Sequence, residues 1–125
     1  MDVVVRPNER AGIDGSSMST LVKWLELGRM ELFRTQGISP RRLEDVGYFL
    51  VVIHAECDVI ETLALTERFS LRTWESRLTP AKVEHSYELR SDGRLVAVGK
   101  TVVACIDRER VVQKLEDTLL RVFAG

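Results

Sequence analysis

Residues able to do chemistry concentrate in "NERAGIDGSSMSTLVKWLELGR", residues 8–29. Two acids, Glu9 and Asp14, stand in a loop that ends on Gly15, Ser16 and Ser17 and runs straight into a helix-forming segment. The leading N–H groups of a helix lack internal partners, and the helix dipole draws negative charge to that end. Asp14 beside such a tip is expected to stay ionised, and could activate water or act as a nucleophile itself. Glu9 has the longer side chain and could reach the same space. Gly15 lets backbone approach a carbonyl closely. Two plainer roles compete: Ser16 or Ser17 as an N-cap worth roughly 0.5–2 kcal/mol, with Asp14 in a turn and Glu9 solvated.

The helix must position this loop. At 100° per residue Leu21, Val22, Leu25, Gly28, Leu32 and Phe33 share one stripe, with Lys23, Leu27, Glu31 and Arg34 away from it. Gly37 and then Pro40 end the helix, which is predicted over residues 17–36. Arg29 falls on the apolar stripe, where an unpaired charge would be costly. Glu26, three residues earlier, is its expected ion-pair partner, and a contact with a bound ligand is the sharper alternative.

A strand at residues 3–5 precedes the loop, and strands by alternation follow the helix at 49–59, 68–78, 82–90 and 95–106. Asp92-Gly93 makes the hairpin turn between the last two. The final strand is apolar on both faces and should lie centrally, covered on both sides. Residues 113–123 read as a terminal amphipathic helix. One long helix followed by antiparallel strands is an α+β pattern, with the sheet wrapping the helix and the other sheet face awaiting cover from a second subunit. The whole of residues 1–125 reads as a single domain.

Composition removes several function classes. With 45% hydrophobic and 30% charged residues, the chain is an ordinary folded protein. A net charge of −1 and 6% aromatic residues offer nucleic acid neither a basic field nor stacking platforms. No apolar run spans a bilayer, and the first ten residues do not read as a signal peptide. Cys57 and Cys105 lie singly in apolar runs, so buried reduced thiols and a cytoplasmic location are expected, with no metal site. His85 shares a face with Val83, Tyr87 and Leu89 and reads as a core histidine. His54 offers no catalytic pattern, and Trp24 and Trp74 read as packing. Glu56 and Asp58, on a polar strand face, are remote candidates contributed by a partner subunit.

Four segments together resemble the 4-hydroxybenzoyl-CoA thioesterase type of hotdog-fold acyl-CoA thioesterases. "TLVKWLELGRMELFR" resembles the family's "NYLRWFERARTEWLR", matching at Trp24, Glu26, Arg29, Glu31 and Arg34. "AECDVIETLALTERFSLRT", "SDGRLVAVGKTVVACID" and "KLEDTLLRVF" follow in the family's order. The resemblance implies hydrolysis of coenzyme A or carrier-protein thioesters by homodimers or homotetramers, with sites at subunit interfaces. It implies no cofactor beyond the coenzyme A of the substrate. It also implies a role for Gly15, Ser16, Ser17, Thr20 and Arg29 in holding the oxyanion or substrate. Arg108, Arg110 and Lys114 would meet the phosphates of coenzyme A, or else form a solvated turn. The sequence departs from the family at the acid: the usual catalytic position falls on Ala11, an earlier acid on Glu9, and Asp14 replaces a glycine. The family's Asn becomes Thr20, and Met18 replaces its His or Phe. A non-catalytic acyl-binding or structural hotdog protein is the competing reading. A dehydratase would need a His beside the acidic loop, and none stands there.

Overall fold

Gly37, at φ +76°, takes the left-handed conformation that stops the central helix, and the N–H of Ile38 bonds back to the Phe33 carbonyl at 2.9 Å. The protein was analysed as a computed structural model, which describes residues 2–4, 18–60 and 68–123. Side chains are described for 22–60 and 70–123. The elements are β1 (Asp2–Val4), α1 (Met18–Thr35), α2 (Pro40–Asp45), β2 (Tyr48–Val59), β3 (Arg68–Leu78), β4 (Lys82–Ser91), β5 (Arg94–Asp107), β6 (Val112–Gln113) and α3 (Leu115–Phe123).

The strand and helix expectations hold to within a few residues at each end. Two short elements escaped them. α2 starts with Ser39 accepting from the Arg42 N–H at 3.2 Å and Pro40 in its first turn. Pro40 therefore begins a helix besides following the end of one. β6 is only two residues long, too short for any periodicity to register.

Every pairing in the sheet is antiparallel, in the order β1-β3-β4-β5-β2, with β6 paired to β5 beyond the start of β4. Asp92 and Gly93 both have positive φ, 50° and 78°, as a tight hairpin between β4 and β5 requires. β5 is central, flanked by β2 on one side and by β4 and then β6 on the other. The alternation puts Val83, His85, Tyr87 and Leu89 of β4 on the buried inner face, as their spacing predicted.

α1 crosses this inner face from one end of the sheet towards the other. Its first half packs Trp24 and Leu25 against Leu71, Tyr87, Leu89, Val96 and Ala97. At the opposite end, Leu115 of α3 packs with Val83, Val103 and Cys105. Gly28 and Gly99 let α1 sink towards the sheet. A Cβ on Gly28 would collide with Thr73 Oγ1 and come within 2.9 Å of Leu71 Cδ2, and one on Gly99 would lie 3.0 Å from Leu25 Cδ1.

One packing expectation needs correction. Val22 was placed on the buried stripe but is 44% exposed. It lies on the flank of α1 nearest the exposed Glu26 and Met30, where the sheet gives no cover. The outer face of β5 also has no layer over it from the described residues. Val98 and Val102 are half-buried there among Glu84, Ser86, Glu88 and Lys100, and the Glu84–Lys100 ion pair spans 3.4 Å. Antiparallel sheets can meet water on such a face.

Candidate active site

The fold brings one end of α1 to the rim of the sheet. Met18 begins the helix, and no acid occupies its first turn to neutralise the positive end of the dipole. Trp24 and Leu25, one to two turns in, are each 3% exposed and hold that end against the inner face. Thr20 lies in the first turn; its side chain is outside the described residues. Glu9, Ala11, Asp14, Gly15, Ser16 and Ser17 lie outside them altogether.

Arg29 is buried on the sheet side of α1, only 8% exposed. The expected pairing with Glu26 does not occur. Glu26 is exposed, and no carboxylate among the described residues lies within ion-pair distance of Arg29. The helix surface uses Glu31 and Arg34 instead, bonded at 2.6 Å and 3.1 Å. One 60° step around the helix separates Glu26 from Arg29, enough to leave one in water and the other under the sheet. Arg29 is close enough to His85 to hold down its proton affinity. Burial is the larger cause, and together they lower the His85 pKa from 6.5 to about 4. His85 is therefore neutral near pH 7.

The other sequence candidates are dispersed. Glu56 and Asp58 face outward, with Glu56 opposite Lys100 across the β2–β5 ladder, so the sheet separates them from α1. Glu56 bonds His54 at 3.0 Å, and that bond lowers its pKa; both side chains are exposed. Arg108, Arg110 and Lys114 are exposed on and after the β5–β6 turn. Asp107 builds that turn: its Oδ1 accepts from the N–H groups of Glu109 and Val111 at 2.9 and 3.0 Å, and its Oδ2 from Gln113 at 2.8 Å. Arg108 lies against Gly47, where an added Cβ would be 3.1 Å from its Cζ and Nε. This places the basic turn beside the start of β2, at the end of the sheet opposite the α1 tip. Within one chain the two groups do not meet.

Both cysteines are free thiols, Cys57 half-buried and Cys105 buried, and burial raises both pKa values. Among the described residues no group of three His, Cys, Asp or Glu side chains could hold a metal ion, and no helix is long and apolar enough to cross a membrane. Inspection of spacing alone missed the buried polar row beneath α1. Tyr87 Oη and Thr101 Oγ1 bond each other at 2.7 Å, while Thr73 Oγ1 and both ring nitrogens of His85 have no partner. Alternation puts these residues inward, but nothing in it reveals which bonds are made.

An antiparallel sheet curled around one long helix is the hotdog fold. A profile of the thioesterase-like superfamily matches residues 13–122, and the chain belongs to that superfamily. Solved structures agree in fold. The DHNA-CoA thioesterase from Staphylococcus aureus is 20% identical, with a TM-score of 0.83 over 99% of this chain and 82% of that one. A 1,4-dihydroxy-2-naphthoyl-CoA thioesterase from Synechocystis is 15% identical, with a TM-score of 0.83 over 100% of this chain and 94% of that one. A gentisyl-coenzyme A thioesterase is 16% identical, with a TM-score of 0.80 over 95% and 97%. No curated protein matches the chain in sequence.

Proposed function

We propose that the protein is an acyl thioesterase hydrolysing coenzyme A or acyl-carrier-protein thioesters at a site shared between two protomers. The observation that carries this reading is the α1 tip, with no acid in its first turn, in a chain of the thioesterase-like superfamily. Free amides at such a tip suit the oxyanion that forms when a thioester carbonyl is attacked. Asp14, or Glu9 from further back in the loop, supplies the base or nucleophile in place of an acid at Ala11. Gly15, Ser16, Ser17 and Thr20 line the approach to the carbonyl.

The described surface supports a dimer. Among the described residues β2 pairs only with β5 and its other edge is unpaired, and Val52 and Ile53 on it are 44% and 55% exposed. Met30 and Val22 are exposed on α1, and Arg29 lies at the margin of the same helix flank. An open edge bearing apolar side chains favours pairing with a second strand. Antiparallel pairing of β2 with its own copy about a two-fold axis exchanges the ends of the two sheets. The Arg108, Arg110 and Lys114 turn of one protomer then comes to the α1 tip of the other, where it can meet the phosphates of coenzyme A. Arg29 at that seam either contacts the acyl group or pairs across it. Such a homodimer can pair further into a homotetramer. The free thiols are consistent with a cytoplasmic location.

Thiol release from a panel of aliphatic and aromatic acyl-CoAs tests this function. The aromatic members are included because the three similar structures described above carry aromatic acyl-CoA names. Asp14→Ala or Glu9→Gln should abolish release, and rates unchanged from the native chain in both variants would reject the assigned acids. Arg108→Ala with Arg110→Ala should raise KM for acyl-CoA and leave kcat nearly unchanged. The second reading, an acyl-thioester-binding protein without turnover, is favoured by Ala11; binding of acyl-CoA with no thiol release would establish it.

A further inference from the structure

The two cores on the inner face do not meet. Between the end of α1 and the first turns of α3 lies a cavity of about 260 Å³. Phe33, Leu50, Val83, Leu115 and Leu119 form its apolar walls. His85 also lines it, at 1% exposure, with neither ring nitrogen hydrogen-bonded. Phe33 packs edge-on to the imidazole, with centroids 5.2 Å apart and planes at 78°, so it offers the ring contact and no hydrogen bond. Buried polar atoms are seldom left unmet, and unmet ones on a residue that lines a cavity mark where a ligand can complete the bonding.

We propose that this cavity is a second binding site, for a small uncharged phenol or aromatic alcohol whose hydroxyl bonds His85. Size supports a single substituted ring: an apolar cavity of roughly 150 Å³ already holds benzene. Charge narrows the class. Glu75 and Glu116 are the charged residues of the lining, and no Lys or Arg joins them. A carboxylate or phosphate would enter past those acids and lose its hydration, and Arg29, the buried cation beside His85, is not part of the lining. The site is therefore not another seat for coenzyme A or for a free acid product. Neutral imidazole presents one N–H donor and one bare nitrogen, and a hydroxyl can satisfy either.

The site is independent of the thioesterase reading. Phe33 stands 15 residues beyond Met18, about 22 Å along the helix axis at 1.5 Å per residue. Occupancy can be followed by binding alone, without any turnover.

The test compares 4-ethylphenol, ethylbenzene, 4-ethylbenzoate and 4-ethylbenzylamine by calorimetry and by the imidazole resonances of His85. The expected result is saturable binding of 4-ethylphenol, one per chain, with a shift of the His85 signals. Ethylbenzene should bind about tenfold more weakly, the equivalent of about 1.4 kcal/mol. The benzoate and the benzylamine should bind more weakly than 4-ethylphenol. His85→Phe should erase the preference for the phenol over ethylbenzene. Leu119→Trp, which fills the cavity from α3, should abolish binding of both and serves where the first variant does not fold. Absence of saturable binding, equal affinity for ethylbenzene, tighter binding of either charged probe, or undiminished binding to Leu119→Trp would each overturn the proposal.

Discussion

His85 makes the stability of this protein depend on pH in a direction opposite to that of a histidine that gains an acidic partner. Its folded pKa is about 4 against an ordinary 6.5, because burial, aided by the charge of Arg29, disfavours the imidazolium. Between those two values the unfolded chain binds the extra proton and the folded chain does not. The neutral ring therefore contributes full stability above pH 6.5, and that contribution is lost as pH falls towards 4. Linkage over this interval gives a loss of about 2 kcal/mol at pH 5 and about 3 kcal/mol at pH 4, relative to pH 7.5. The measurement is urea unfolding at the two pH values 7.5 and 5, at fixed protein concentration, for the native chain and His85→Phe. Other titrating groups are common to both and cancel. The native chain should lose about 2 kcal/mol more than the variant over that range. Equal losses in the two proteins would refute the reasoning, as would an imidazole titration for His85 centred near 6.5.

Gly28→Ala should destabilise the fold: the collision with Thr73 and Leu71 costs about 1–3 kcal/mol, against at most about 1 gained from helix propensity. Adding Thr73→Ala should recover part of the loss in the same urea assay. Tyr87→Phe strands the Thr101 hydroxyl, 2% exposed, and should cost about 1–3 kcal/mol by thermal or urea unfolding. If β2 is the dimer edge, Ile53→Asp should shift the protein to monomer in sedimentation velocity and reduce thioesterase activity with it.

The strands and α1 were legible because their signals are local and periodic. Alternation marked Val83 through Leu89, Asp92-Gly93 marked the hairpin, and Gly37 marked the helix end. The errors fall where a side chain's fate depends on elements distant in sequence. Val22 has the right angle to be buried but no sheet above it. Arg29 and Glu26 have pairing distance in sequence, yet the sheet covers only one of them. The candidate site was legible as residue types and not as geometry. Residue types pointed to the α1 tip, but nothing local could say that the basic turn after β5 stands at the far end of the same chain. The cavity beneath His85 was not legible at all, since it is a gap between two packed clusters and no residue encodes it.

Gly28 and Gly99 act as a notch. With no side chain between them and their neighbours, the helix has one depth and one angular setting at which it can rest, and its tip is indexed by contacts made several turns away. None of these contacts involves position 11, so they do not depend on whether that position carries Ala11 or an acid. A frame fixed from behind in this way lets the working end be rewritten while the rest of the molecule stays put.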